Sequence, residues 1–65
     1  MTTKSALRYQ RETAGLSRER LARLADCSSS TIANIEHGYR ASAEMARRIA
    51  DALGCEPADL FEHAA

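Results

Sequence analysis

The chain has 65 residues, 45% of them hydrophobic and 28% charged, with nine basic and nine acidic side chains that cancel. A chain this short buries only roughly 60% of the surface that it exposes when unfolded, so the expectation is a single domain with one thin core. With one proline, three glycines and three aromatic residues, the composition is too apolar for a disordered tail and too poor in β-branched and aromatic residues for a sheet, which leaves an all-α fold.

Residues 1 to about 4 carry no helical pattern and should fray. Ser5 to Ala14 reads as the first helix, with Leu7, then Gln10 or Arg11, then Ala14 spaced three and four apart toward the core. Gly15 ends it, and Leu16 returns to the core. Ser17 caps a second helix of about two turns that carries Leu21, Ala22, Leu24 and Ala25 inward, although Arg20 stands where a reciprocal capping box would place Glu or Gln. Arg20 and Arg23 face solvent at helical spacing from Glu19 and Asp26, where exposed charges do little. Asp26-Cys27-Ser28 breaks the pattern: Asp tolerates a left-handed backbone, Cys27 is apolar, and Ser28 is a further cap. A third helix then runs from Ser29 to about Glu36, with Ile32 and Ile35 buried and Gly38 just past its end.

Tyr39-Arg40-Ala41 reads as an exposed loop, in which the Tyr39 ring can also lie against the next helix. Ser42 caps that fourth helix, Glu44 suits its positive end, and Met45, Ala46, Ile49, Ala50 and Leu53 make the inward stripe before Gly54. Pro57 opens a short fifth helix followed by Ala58, Asp59, Leu60 and Phe61, with Phe61 large enough to cover one end of the core. The last three residues, His63-Ala64-Ala65, should be loose.

The chemistry of enzymes is missing from this pattern. No nucleophile elbow, phosphate loop or paired-carboxylate motif occurs, and 65 residues can scarcely wall a pocket, so neither catalytic residues nor a small-molecule substrate is expected. Cys27 and Cys55 read as free core thiols, because disulfide frameworks belong to secreted, cysteine-dense chains. His37 and His63 are the two imidazoles, and no CxxC or HxxxH spacing gathers ligands, so neither a metal nor a cofactor is expected. No apolar run approaches the ~20 residues that span a bilayer, and MTTKSALRYQ has no signal-like apolar stretch, which predicts a cytoplasmic protein without a membrane partner.

The zero net charge hides an asymmetry. Residues 1–40 carry seven basic against four acidic side chains, a net of +3, whereas residues 41–65 carry two against five, a net of −3. The positive half contains the two helices joined at Asp26-Cys27-Ser28, and that field can orient the molecule on a polyanion. Away from Ile32 and Ile35, the third helix carries Ser29, Ser30, Ala33 and Asn34, which are small or polar and uncharged. Such a face suits either solvent or the base edges of a DNA major groove.

The order LRYQRETAGLS, RLARLADCSSSTIANIEHG, ARRIADALG and DLF resembles the Cro and C1-type family of phage repressors, also called the xenobiotic-response-element family, over about residues 7 to 61. The resemblance implies five helices, the second and third forming a helix-turn-helix. It places Ala22 where those two helices cross, and Arg11 and Glu36 in a buried or half-buried ion pair. It implies base contacts by Ser29, Ser30 and Asn34, and contacts to the DNA backbone by Arg18, Ser28, Tyr39 and Arg40. An arginine at a helix start opposes the macrodipole, so Arg18 has no evident folding reason of its own. Two departures stand out: Asp26 occupies a turn position usually held by glycine, and the loop after Gly38 is one residue shorter than the commonest form and lacks its proline. The implied function is sequence-specific binding of double-stranded DNA by a transcriptional regulator of phage-repressor or small plasmid-regulator type. A homodimer is expected, either in free solution or only on DNA. The alternative is a protein-interaction module on the same fold, an antitoxin or co-activator.

Overall fold

The computed structural model describes residues 5–61; the ends expected to fray or hang loose, residues 1–4 and His63–Ala65, lie outside the described residues. Five helices follow one another: α1 (Ala6–Thr13), α2 (Arg18–Leu24), α3 (Ser29–Glu36), α4 (Ala43–Leu53) and α5 (Pro57–Leu60). The described residues contain no strand, so the fold is all-α as expected. Together the helices fill 28 × 24 × 19 Å.

Four of the five start on a serine. Ser5, Ser17, Ser28 and Ser42 each hold an extended backbone and accept a hydrogen bond from the N–H three residues on, at 3.0 to 3.1 Å. Each satisfies one of the orphan donors of a helix start, worth about 1 kcal/mol apiece.

The first four helices also share one ending. A residue in left-handed conformation closes each, and the residue after it sends its N–H back five positions: Leu16 to Arg11, Cys27 to Ala22, Tyr39 to Asn34 and Cys55 to Ala50, at 2.8 to 3.1 Å. This is the Schellman ending, in which the residue after the left-handed one commonly folds an apolar side chain onto the helix it leaves. Leu16, Cys27 and Cys55 do so and pack, half-buried, against the core. The two free thiols therefore sit where the motif wants an apolar residue. Glycine supplies the left-handed backbone in three of these endings and Asp26, at φ 58°, in the fourth.

The core is Leu7, Leu21, Ala22, Ala25, Ile32, Ile35, Ala41, Ala46, Ile49, Ala50, Leu60 and Phe61. α2 packs on α3 and α4, α4 on α5, and α1 on α3 and α5. Three expectations about burial fail. Leu24, expected inward, is 56% exposed: Leu21, Ala22 and Ala25 fill an arc about 100° wide, and Leu24 stands some 60° outside it. Ala14 is exposed as well, leaving Leu7 and Arg11 as the buried residues of α1. Ala41, expected in an exposed loop, is buried, because the segment between α3 and α4 is short enough to press it onto the core. No helix among the described residues is long and apolar enough to cross a membrane.

Candidate nucleic-acid interface

The surface built around α2 and α3 begins with an ion cluster. Arg11, on the last turn of α1, donates through Nε to Glu36 Oε2 at 2.6 Å and through Nη1 to the Leu16 carbonyl at 2.8 Å. Arg18, the first residue of α2, donates through Nε to Glu36 Oε1 at 3.0 Å. The Glu36 side chain is 1% exposed, that of Arg11 10%, and that of Arg18 39%. The expected pairing of Arg11 with Glu36 is present, and the carboxylate also holds a second guanidinium. Arg18 thus has a folding role that sequence spacing hides, since its partner lies 18 residues away.

Burial alone would push the Glu36 carboxyl up, but the hydrogen bonds from Arg11 and Arg18, with their charges, outweigh it and hold it below the usual carboxylate range. The same hydrogen bond, against the cost of burial, raises Arg11 further above its ordinary value. The cluster ties the C-terminal turn of α3 to α1 and to the start of α2. Its net charge is one positive, and the exposed part of that charge is the Arg18 guanidinium.

The turn between α2 and α3 has a tie of its own. Arg48, from the middle of α4, donates to the Asp26 carbonyl at 3.1 Å and lies 3.5 Å from the Asp26 carboxylate. Asp26, expected at helical spacing from Arg23, is paired instead across 22 residues. Beside it, burial pushes the Cys27 thiol up, against the pull of Arg48, and burial likewise raises Cys55. Both thiols stay protonated at neutral pH, which suits packing rather than chemistry.

Beyond these ties, α3 turns outward a face without charge. Ser30 and Asn34 are exposed, and Ser29 and Ala33 are half-buried beside them. Ser28 is exposed, but its hydroxyl is engaged with the Thr31 N–H at 3.1 Å and the Thr31 hydroxyl at 2.9 Å. Tyr39 is the odd member of the four helix endings: its ring is 70% exposed instead of folding back. The sequence-level option of a ring packed against the fourth helix is therefore not realised. Arg40 is exposed and lines a shallow groove at the start of α4 with Ser42, Glu44, Arg47 and Pro57. The resemblance singled out Arg40, and neither it nor the spacing pointed to Arg47, because the bend after Gly38 decides which residue of α4 shares that groove.

This arrangement of two short helices, joined by a four-residue turn with a bare polar face on the second, coincides with what a family comparison finds. A family model described as helix-turn-helix matches residues 7–60, nearly the whole chain. The chain belongs to the Cro/C1-type helix-turn-helix family. No curated protein matches it. Members of the Cro/C1-type family are DNA-binding regulators, and α2 with α3 is the helix-turn-helix of this one. In Cro/C1-type terms the ion cluster and the Arg48 tie are internal braces: the first joins α2 and α3 to each other and to α1, and the second anchors the turn between them to α4.

Proposed function

We propose that the chain is a sequence-specific regulator of transcription, of phage-repressor or small plasmid-regulator type, which reads double-stranded DNA by laying α3 in the major groove. Ser29, Ser30 and Asn34 read base edges, and Asn34 has the donor and acceptor that match adenine N6 and N7. Arg18, Ser28, Tyr39 and Arg40 hold the phosphates, which fix register and carry no sequence. The observation that carries this reading is the face of α3 itself. It presents small uncharged polar groups on a helix whose two ends are braced by Glu36 and by the capped turn at Ser28. A helix left for solvent alone would gain from charged side chains, and this one exposes none between Ser29 and Ile35.

Two copies bind together. A helix of eight residues covers only a few base pairs, so two half-sites, about 34 Å apart on one face of the duplex, are needed for a useful specificity. The chain acts as a single domain in the cytoplasm, and the dimer forms on DNA.

The test is selection of bound duplexes from a random pool, followed by titration of the selected site and a scrambled duplex at about 0.15 M salt, where purely electrostatic binding is weak. A selected site with two related half-sites, bound far more tightly than the scrambled duplex, is the expected result. Equal, weak binding to both would overturn sequence-specific reading and favour a protein-interaction module on the same fold.

A further inference from the structure

The outward stripe of α3 does not end at Asn34. The backbone N–H of His37 still donates to the carbonyls of Ala33 and Asn34, both at 3.1 Å, so the helical path continues through this residue before Gly38 turns the chain away. At about 100° per residue, Asn34 stands some 40° from Ser30 around the helix and His37 some 20° to the other side, so the three share one face. His37 lies about 4.5 Å further along the axis than Asn34 and about 10 Å beyond Ser30.

The imidazole is exposed, and no hydrogen bond or ion pair engages its side chain among the described residues. The charged groups at this end of α3 include Glu36 with Arg11 and Arg18 both bound to it, Glu12 at 3.9 Å from Arg11, Glu19, whose charge also acts on Arg11, and Arg40 beyond Gly38. The carboxylate next to His37 in sequence is therefore turned inward and occupied, so it does not neutralise a charge on the imidazole from outside.

We propose that His37 is a further contact residue of the interface, meeting a phosphate on the far wall of the groove, and that it makes DNA binding tighten when the imidazole is protonated. This rests on the reading of α3 as the groove-entering helix. The residues at the start of such a helix meet base edges, and one placed about 10 Å further on reaches the backbone. A neutral imidazole can give that phosphate one hydrogen bond. An imidazolium gives it a charge-assisted one and releases one more counterion. The general range in which histidine side chains change charge, about pH 5 to about pH 8, is one in which the duplex itself is intact, so the two protonation states can be compared on the same DNA.

The experiment is titration of the full chain with a random-sequence duplex and with the selected site, near pH 5.5 and near pH 8, over a range of salt, for the wild type, His37→Gln and His37→Lys. Circular dichroism melts at both pH values establish that each variant is folded. The wild type should bind both duplexes roughly fivefold to tenfold more tightly at the lower pH, with a salt slope steeper by about one unit. His37→Gln should bind at both pH values as the wild type does near pH 8, and His37→Lys should bind at both as the wild type does near pH 5.5. His63, in the tail outside the described residues, is present in all three proteins and does not distinguish them. A pH dependence that survives in His37→Gln would overturn this proposal alone. A pH dependence confined to the selected site would overturn the phosphate assignment in favour of a base contact. A wild type that binds no duplex at either pH would overturn the DNA-binding reading and this proposal together.

Discussion

Replacing Glu36 by leucine should remove about 3 kcal/mol of folding stability, and the size of that loss follows from what the substitution strands. Breaking a buried ion pair costs about 3 to 5 kcal/mol, because the remaining charge is left without its partner. Here the stranded group is the Arg11 guanidinium, whose side chain is 10% exposed and which keeps only the Leu16 carbonyl at 2.8 Å and a distant contact with Glu12 at 3.9 Å. Arg18, at 39% exposure, can swing into water at little cost, which puts the loss at the lower end of the range. Arg11→Met leaves Glu36 with the Arg18 hydrogen bond at 3.0 Å, so its cost should be smaller, about 2 kcal/mol. The double variant leaves no buried charge and should lose at least about 1 kcal/mol less than the two single losses together. For a chain whose whole stability is about 3 to 10 kcal/mol, these are large effects, and the Glu36→Leu midpoint should fall by roughly 12 to 24 °C. Urea and thermal unfolding of the four proteins, followed by far-UV circular dichroism, measure all of them. Additivity within about 0.5 kcal/mol, or a Glu36→Leu variant as stable as the wild type, would refute the view that one buried carboxylate braces α3 against α1 and α2.

The same carboxylate sets an acid limit. Its folded-state value is depressed, so its contribution is complete above the unfolded value of about 4.3 and is lost as pH falls through the lower folded value; stability measured against pH should drop there in the wild type and more shallowly in Glu36→Leu. Asn34→Ala should cost about 1 to 3 kcal/mol on the selected DNA site and relax one base pair of it, whereas Arg18→Ala should weaken selected and scrambled duplexes alike and lower the salt slope by about one unit. Equal losses on both duplexes for Asn34→Ala, in binding titrations, would remove that side chain from base readout. Asp26→Gly should raise stability by about 0.5 to 1 kcal/mol, since relief of a left-handed backbone worth about 1 to 2 kcal/mol exceeds the added freedom of glycine in the unfolded chain. A lower melting midpoint would mean that the Asp26 carboxylate and Arg48 contribute more than the backbone costs.

Helix starts and stops were legible in the residues because their physics is local. A serine hydroxyl reaches an N–H three residues away wherever the rest of the chain lies, and Ser5, Ser17, Ser28 and Ser42 all do so. Glycine, or an Asp that tolerates the same backbone, closes the helices before Gly15, Asp26, Gly38 and Gly54 for an equally local reason. Burial at Leu21, Ile32 and Ile49 followed from spacing for the same cause, and so did the bare face of α3 at Ser30 and Asn34. The resemblance carried by those stretches supplied the pairing of Arg11 with Glu36, which no spacing rule within one helix can find.

What the residues could not decide is which side of each helix a neighbour covers. Leu24 and Leu21 are equally apolar and lie on the same seven-residue helix, yet α3 and α4 close over one and leave the other in water. Ala41 is buried because the helices on either side of its loop bring it inward, and nothing in its own neighbourhood of the sequence marks it. Arg18 meets Glu36, and Arg48 meets Asp26, across 18 and 22 residues, so each tie exists only once the helices are packed. The caps, the stops and the polarity of α3 belong to the sequence by itself, because they depend on residues within one helical turn. The braces that hold α3 at a fixed angle to α2 belong to the tertiary structure, because an ion pair between distant residues depends on the packing that brings them within about 3 Å.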